Sequence, residues 1–405
     1  PYLNFHNTHT MNSKFILVFW AIFAIACKKE TFNNSRQRPI PDQTAVNTLH
    51  LNQIQVLGSH NSYHKRMPAK LFDFLKTINF ILPAEYKVES LDYDHEPLYT
   101  QLDTYGMRSF EIDIYADPNG GRFKNRKGNA FAGLPEASGI AELAQPGYKV
   151  MHIPDIDYET HHYTFKSMLT DLKKWSDAHP NHLPIFLLIE GKETTVGDFL
   201  GFIGFATAVR FTPALTDAID EEIKSVFGNS LDKVITPDKV RGDYTTLEEA
   251  VLNNNWPTIG ESRGKFIFVM QGASVDDYLV GHPSLKGRAM FTNSTPGKPE
   301  AAFVQYNSPV REENSIIDAV QKGYIVRTRS DGPNEENRTG SYANQEAAFR
   351  SGGQIISTDY YRPDPRYLTK PTEFTNYSCR FPNGELARIN PINAADKQTY
   401  GKFAE

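Results

Sequence analysis

The stretch that decides the predicted fold is Arg108–Tyr115, RSFEIDIY, in which apolar and polar side chains alternate. A period of two is typical of a β-strand with two unlike faces, one of which can pack under helices. Glu111 and Asp113 share the polar face, where neighbouring carboxylates repel each other and lose hydration if they are buried. A hard cation such as Ca²⁺ would neutralise such a pair, whereas an edge strand would leave the same face in solvent.

Strand and helix patterns alternate along the rest of the chain. The uninterrupted apolar run Leu183–Ile189 is typical of a parallel strand that is buried on both faces. The other predicted strands are Ile54–Leu57, Tyr148–His152, Lys265–Met270, Ala302–Tyr306, Tyr324–Thr328 and Gln354–Thr358, and Met290–Asn293 is either a further strand or part of a loop. The predicted helices are Ala69–Ile78, Leu98–Tyr105, Phe165–Ala178, Ser315–Lys322 and Ala343–Ser351, with a mostly helical segment at Thr194–Glu249.

This alternation predicts an α/β protein with a parallel sheet. About eight strand–helix units over about 320 residues favour a (β/α)₈ barrel, the TIM barrel, over an open doubly wound sheet. No glycine-rich dinucleotide- or phosphate-binding motif follows the first predicted strand, which also argues against the doubly wound sheet.

The composition excludes several classes of protein. The 405 residues, 40% of them hydrophobic, suffice for a large core, and two cysteines are too few for a disulfide scaffold. A net charge of −5 gives no general attraction to nucleic acid. We expect a monomer without a nucleic-acid partner.

The N-terminal region is typical of an exported lipoprotein. Met11 is the expected start, and the apolar run Phe15–Ile25 after Lys14 is too short to span a membrane comfortably, as in a signal peptide. The residues before Cys27 resemble the lipobox of bacterial lipoproteins, which implies that Cys27 carries a lipid; the alternative is an ordinary secretory signal. We expect export across the inner membrane and a lipid anchor in the bacterial cell envelope, at the outer membrane. The expected division is upstream residues and signal segment 1–26, tether 27–50, barrel 51–371 and tail 372–405.

Polar residues lie at the C-terminal ends of the first four predicted strands, which in a (β/α)₈ barrel form the catalytic rim. They are His60 and Asn61 after the first strand, Glu111 and Asp113 on the second, His152 at the end of the third and Glu190 at the end of the fourth. Each alone could be a turn, core or capping residue, but their shared placement favours one site. Carboxylate and amide oxygens suit Ca²⁺, and histidines suit acid–base chemistry near neutral pH, so the set predicts phosphoryl transfer.

Four motifs in this order resemble the X-region of calcium-dependent phosphoinositide-specific phospholipase C, most of all the bacterial secreted branch. They are GSHNSYH at 58–64, RSFEIDIY at 108–115, VMHIP at 150–154 and LLIEGK at 187–192. The resemblance covers about Leu51–Thr369 and is strongest before Lys192. It implies that His60 is the first catalytic histidine and His152 the general acid. It also implies that Asn61, Glu111, Asp113 and Glu190 bind calcium.

Two further implications concern the residues around the metal. Metal-independent bacterial phospholipases C carry an arginine in place of Asp113, so Asp113 points to the metal-dependent branch. Glu111 or Glu190 would also take the proton of the attacking hydroxyl.

The substrate-binding positions of the family do not align clearly in the second half of the chain. Lys192, Arg329 and Tyr360 are the candidates there, because they lie at strand ends.

The resemblance implies a lipid-anchored phosphodiesterase that cleaves the glycerol–phosphate bond of phosphatidylinositol-type lipids to diacylglycerol and a cyclic or open inositol phosphate. One alternative is a glycerophosphodiester phosphodiesterase, which shares the barrel but normally has arginine where Asn61 follows His60. The other is a non-catalytic surface lipoprotein, which would not need the pair His60 and His152. The sequence leaves the lipid headgroup open.

Overall fold

The computed structural model describes residues 42–81, 87–200, 204–332 and 335–405. The predicted signal segment and Cys27 lie outside these described residues. Within the described part, no helix is both long enough and apolar enough to cross a membrane.

Eight parallel strands form a nearly closed barrel. The strands of the protein are β1 (Ile54–Ser59), β2 (Ser109–Asp117), β3 (Gly147–Val150), β4 (Ile185–Gly191), β5 (Phe266–Gln271), β6 (Phe291–Thr292), β7 (Phe303–Gln305), β8 (Ile325–Arg329), β9 (Ile355–Thr358) and β10 (Ala387–Ile389). The barrel order is β6-β5-β4-β2-β1-β9-β8-β7, and every pair in it is parallel. A single parallel bridge between Asn293 and Phe303 joins the two ends. The predicted (β/α)₈ barrel is confirmed.

The prediction that Tyr148–His152 is the third barrel strand is wrong. The strand there, β3, pairs antiparallel with β2 and lies off the barrel path. A parallel crossover normally runs through a helix, but the connection from β2 to β3 contains only two 3₁₀ turns, Lys127–Ala132 and Ala141–Ala144. Alternation along a strand does not reveal the direction of its neighbour. The missing barrel strand is β6, which lies inside the uncertain segment Met290–Asn293.

The helices surround the barrel and largely match their predicted bounds. They are α1 (Thr44–Asn47), α2 (Ala69–Ile78), α3 (Leu98–Asp103), α4 (Phe165–Ala178), α5 (Val196–Leu200), α6 (Pro213–Phe227), α7 (Pro237–Arg241), α8 (Leu247–Leu252), α9 (Ile259–Ser262), α10 (Val275–Leu279), α11 (Pro309–Gln321), α12 (Glu336–Thr339) and α13 (Ala343–Ser351). Threonine side chains cap several of them: Thr164 accepts a hydrogen bond from the Ser167 amide at the start of α4. Pro309 occupies the first turn of α11, which explains why that helix begins before the predicted Ser315.

Strand β2 is hydrogen-bonded to β1 on one edge and to β4 on the other, so it is not an edge strand. Its apolar side chains, Phe110, Ile112 and Ile114, are fully buried in the main core. Glu111 and Asp113 are also buried, on the opposite face. The alternative of a solvated edge strand is therefore wrong, and the protein has to compensate two buried carboxylates.

The last thirty or so residues pack onto the same strands that carry the predicted site. Strand β10 pairs antiparallel with β1. The Glu405 carboxylate accepts hydrogen bonds from Arg108 Nε, at 2.8 Å, and from the Leu183 amide, at 2.6 Å. These contacts lie within one compact unit of the described residues.

Candidate active site

The turn after β1 carries His60 and Asn61 and is tied to β2. Asn61 has a left-handed backbone with φ of 46°, which asparagine tolerates better than most residues. The Ser62 amide donates to the Glu111 carbonyl, and the Glu111 amide donates to Ser62 Oγ, both at 2.9 Å. The turn is thereby held beside the carboxylates of β2.

His60 forms the first of two imidazole–carboxylate pairs. Its Nδ1 lies 2.8 Å from Asp359 Oδ1, and Arg329 Nη2 donates to the other oxygen of Asp359 at 2.7 Å. Burial opposes ionisation of Asp359, but His60 and Arg329 outweigh it and hold the pKa well below its usual range. Asp359 was missed from the sequence, although it directly follows the predicted strand Gln354–Thr358 and the strand-end rule would have found it.

The three predicted substrate-binding residues lie in different surroundings. Arg329 is held next to His60 through Asp359, as described above. Tyr360 is buried in a small cluster with Tyr93 and Tyr377. Lys192 lies among the carboxylates of β2 and β4.

Glu111 is held by two residues that the sequence did not single out. Its carboxylate accepts hydrogen bonds from Gln271 Nε2 at 2.9 Å and from Arg327 Nη2 at 2.6 Å. Burial raises the pKa of Glu111, but the Arg327 guanidinium and neighbouring cations outweigh burial and lower the pKa overall. Glu111 is therefore a fixed, ionised carboxylate. The only sequence signal for Arg327 was its position in the middle of strand β8, two residues before Arg329.

Asp113 and Glu190 are direct neighbours, because they are partners in the parallel register of β2 and β4. Lys192 Nζ lies 3.4 Å from Asp113 Oδ2 and 3.0 Å from Glu190 Oε1. Asp113 Oδ1 and the nearby Tyr63 hydroxyl are left without a hydrogen bond of normal geometry among the described residues. Burial raises the pKa of Asp113, and Lys192 opposes that rise. This corner of the site needs positive charge.

The donor set fits a calcium ion. Three carboxylates and an amide are oxygen ligands of the kind that Ca²⁺ takes, and the orphaned, buried Asp113 Oδ1 calls for a cation. The Asn61 amide nitrogen donates to the Tyr93 hydroxyl at 2.8 Å, which leaves Asn61 Oδ1 as the ligand atom. Lys192 and Arg327 already lie against these carboxylates, so a calcium ion and the Lys192 ammonium would compete for the same oxygens.

His152 forms the second imidazole–carboxylate pair. Its Nδ1 lies 2.7 Å from Asp157 Oδ2, across a turn closed by two backbone hydrogen bonds between Ile153 and Asp157. Tyr115 Oη donates to the His152 carbonyl at 2.9 Å. His152 therefore joins the site through a loop after β3, and not from the end of a barrel strand as predicted.

The charges of this second pair follow from burial and hydrogen bonding. Burial lowers the pKa of His152, although Asp157 opposes the change. Burial would raise the pKa of Asp157, but His64 and His152 outweigh it and lower the pKa to about 2. Asp157 was missed because it lies in an irregular loop. Within the described ranges, His64, His152 and Asp157 are the only His, Cys, Asp or Glu residues to bring three ligand atoms within 4.8 Å of one another.

A row of rings connects the two histidines predicted to be catalytic. The ring centroids are 6.3 Å apart for His60 and Tyr93, 4.2 Å for Tyr93 and His64, and 5.9 Å for His64 and His152. The carboxylates of Glu111 and Asp113 lie on the adjacent strand. The arrangement combines two carboxylate-supported imidazoles with a cation-binding group of oxygens, which suits cleavage of a phosphodiester.

A protein-family comparison matches residues 49–391 to the family described as phosphoinositide phospholipase C, Ca²⁺-dependent. A search of curated proteins found no match. Among solved structures, a calcium-dependent phosphoinositol-specific phospholipase C from Pseudomonas sp. is 15% identical, with a TM-score of 0.49 over 85% of this chain and 97% of its own. A Ca²⁺-dependent phosphatidylinositol-specific phospholipase C from Streptomyces antibioticus is 16% identical, with a TM-score of 0.44 over 77% and 95%. A glycerophosphoryl diester phosphodiesterase from Parabacteroides distasonis is 11% identical, with a TM-score of 0.30 over 85% and 95%.

Proposed function

Because this chain belongs to the Ca²⁺-dependent phosphoinositide phospholipase C family, we propose that it cleaves the glycerol–phosphate bond of phosphatidylinositol-type lipids. The products are diacylglycerol and a cyclic inositol phosphate. The observation that carries this proposal is the pair of imidazole–carboxylate contacts beside buried oxygen ligands, His60 with Asp359 at 2.8 Å and His152 with Asp157 at 2.7 Å. Neither alternative, the glycerophosphodiester phosphodiesterase or the non-catalytic lipoprotein, is favoured by a specific contact.

Asn61, Glu111, Asp113 and Glu190 would hold the calcium ion. When bound, Ca²⁺ supplies neutralisation of the phosphate charge and acidifies a hydroxyl group beside it. Lys192 would then be released from Asp113 and Glu190, and its ammonium would bind the substrate phosphate.

Of the two candidate bases, Glu190 is the better placed. Glu111 is buried and fixed by Arg327 and Gln271. The Glu190 side chain is 31% exposed, and within the described residues its carboxylate is hydrogen-bonded to Lys192 alone. Glu190 would accept the proton of the inositol 2-hydroxyl, whose oxygen attacks phosphorus within the same molecule. Because the nucleophile and the phosphorus belong to one substrate molecule, their proximity lowers the entropic part of the activation free energy.

The two histidines take different roles in the same step. Asp359 accepts a hydrogen bond from Nδ1–H of His60 and orients the ring, so that Nε2 of His60 faces the phosphoryl oxygens as a donor. His152, supported in the same way by Asp157, gives its Nε2 proton to the glycerol oxygen as the phosphorus–oxygen bond breaks. Arg329 holds Asp359 in place, and Tyr360 lies beside it in the chain.

Mass spectrometry of the products formed from a panel of phospholipids tests this function. We expect diacylglycerol and a cyclic inositol phosphate from phosphatidylinositol in the presence of Ca²⁺ and none in EDTA. Release of glycerol phosphate from deacylated phosphodiesters, independent of an inositol group, would contradict the proposal and favour the glycerophosphodiester phosphodiesterase. Absence of any hydrolysis, together with tight lipid binding, would favour the surface lipoprotein.

We also propose the lipid anchor at Cys27 and the division of the chain into segments. Cys27 would carry a lipid that holds the enzyme at the bacterial outer membrane, after export directed by residues 1–26 and through the tether 27–50. The barrel 51–371, with its tail 372–405, would act there as a monomer. Cys27→Ser should move the protein from the membrane fraction to the soluble fraction, and a variant that stays in the membrane would point to an uncleaved segment instead.

A further inference from the structure

The second histidine of the GSHNSYH motif, His64, contacts the same carboxylate as His152. His64 Nε2 lies 2.9 Å from both oxygens of Asp157, and His152 Nδ1 lies 2.7 Å from Oδ2. The side chains of His64 and Asp157 are fully buried, whereas the side chain of His152 is 18% exposed. Of these three groups, only His152 is open to a substrate, so His64 acts on the chemistry through Asp157.

Several contacts fix the position of His64. Its backbone forms an antiparallel bridge with Thr160, and its amide donates to the Asn61 carbonyl at 2.8 Å. The His95 amide donates to the His64 carbonyl at 3.1 Å. The imidazole stacks on the Tyr93 ring, with 4.2 Å between centroids and 20° between planes. Three residues therefore fix the backbone of His64, and the Tyr93 ring covers one face of its imidazole.

The hydrogen bonding of His64 selects one protonated nitrogen. Its Nδ1 is buried and has no partner among the described residues. A proton on Nδ1 would bury an unpaired donor, whereas a proton on Nε2 is donated to the Asp157 carboxylate. A proton on Nε2 is the arrangement that fits these contacts, and in it His64 is a fixed donor to Asp157.

We propose that His64 is a positioning residue for the proton donor of the reaction. Its Nε2–H holds the Asp157 carboxylate so that Oδ2 receives the Nδ1–H of His152, and Nε2 of His152 is left to protonate the departing glycerol oxygen. This inference rests on the proposed function, in which His152 is the general acid. Without the bond from His64, the carboxylate is free to rotate and His152 loses its fixed orientation and proton position.

Two substrates separate this role from a structural one. Hydrolysis of phosphatidylinositol in detergent micelles needs a proton on the leaving alkoxide, whereas a nitrophenyl inositol phosphate releases a stable anion and does not. For His64→Leu, we expect kcat on the lipid to fall with KM little changed. The expected factor is about 10- to 100-fold, the loss found when the hydrogen-bonded partner that orients a metal-binding histidine is removed. On the nitrophenyl substrate, we expect a loss of less than about threefold.

Conservative and control variants keep the test decisive if His64→Leu does not fold. His64→Gln keeps an N–H donor at a similar reach and should recover most of the activity on the lipid, whereas the shorter His64→Asn should not. His182, which is equally buried and bonds Ser176 and the Leu183 carbonyl, provides the control His182→Leu for loss of a buried histidine elsewhere. We expect His182→Leu to alter both substrates equally. Circular dichroism and thermal unfolding check the fold of each variant.

The outcomes distinguish this inference from the proposed function. If His152→Ala loses activity on both substrates by the same factor, His152 is not the general acid and the proposed mechanism fails. If His152→Ala is selective for the lipid but folded His64→Leu, or His64→Asn where His64→Leu does not fold, keeps full activity on the lipid or loses the same factor on both substrates, the role of His64 is refuted while the mechanism stands.

Discussion

Replacement of Lys192 by methionine tests the electrostatics of the metal corner. Lys192→Met keeps a long apolar stem but removes the ammonium that lies 3.0 Å from Glu190 and 3.4 Å from Asp113. The Asp113 side chain is only 2% exposed, so the variant leaves a buried carboxylate beside a second carboxylate. Without calcium, the Lys192→Met variant should be less stable than the wild type. With calcium, the variant lacks the ammonium that competes with the ion for the Asp113 and Glu190 oxygens.

The size of the effect follows from burial. Breaking a fully buried ion pair typically costs about 3–5 kcal/mol, but Lys192 is 26% exposed, and burial has already raised the pKa of Asp113, so protonation relieves part of the cost. We expect the free energy of unfolding in EDTA to fall by about 2 kcal/mol. If calcium no longer has to displace the ammonium, the same difference of about 2 kcal/mol corresponds to a calcium dissociation constant about 30-fold lower.

Urea unfolding in EDTA measures the stability, and isothermal titration calorimetry measures calcium binding. Lys173→Met is a matched control, because Lys173 pairs with Asp177 on the exposed surface of α4 at 2.6 Å and should contribute less than about 0.5 kcal/mol. An unchanged calcium affinity in Lys192→Met, with the same unfolding free energy as the wild type, would refute the competition. No calcium binding by the wild type would instead refute the site itself.

Three further predictions concern the carboxylates and histidines. Asp113→Asn should abolish most calcium-dependent hydrolysis but raise the melting temperature in EDTA, because it removes a buried carboxylate while Lys192 keeps Glu190 as its partner; a lower melting temperature would contradict this. His152→Ala should cost about 10²–10⁴-fold on the lipid and much less on a nitrophenyl inositol phosphate, whereas His60→Ala should damage both substrates similarly, since His60 binds the phosphoryl oxygens. Burial lowers the pKa of His152 below 6.5, so the folded protein binds a proton on this ring less readily than the unfolded chain does. The contribution of His152 to the free energy of unfolding is therefore present above about pH 6.5 and is lost as the pH falls below that value. Urea unfolding at pH 7.5 and 5.5 should show this loss in the wild type and less of it in His152→Gln.

Local sequence patterns were sufficient to predict several helices and strands and the two carboxylates on one face of β2. The alternation in β2 predicted two carboxylates on one face, and the helices Ala69–Ile78, Phe165–Ala178 and Ala343–Ser351 have the predicted bounds. These features depend on residues that are close in sequence. The direction of β3 depends on which strand lies beside it, and the alternation in Tyr148–His152 contains no information about that neighbour.

The partners of the predicted site residues were not predictable in the same way. Arg327 reaches Glu111 across more than two hundred positions of the chain, and Asp359 reaches His60 across almost three hundred. Such contacts exist only once the barrel brings distant strands together. The sequence indicated which groups could react, but the charged partners that shift their pKa values lie beside them only in the folded barrel.

The joint between β6 and β7 gives the barrel an uneven stiffness. A cylinder that is bonded all around resists bending equally in every direction, but this one is fastened along one line by the single bridge between Asn293 and Phe303. Thermal strain should concentrate along that line, where hydrogen exchange is expected to be fastest. Strands β2 and β1 stand in the middle of the strand order, farthest from that line, and β4 lies beside β2. We therefore expect the barrel to flex at this joint while the carboxylates of Glu111, Asp113 and Glu190 keep their spacing.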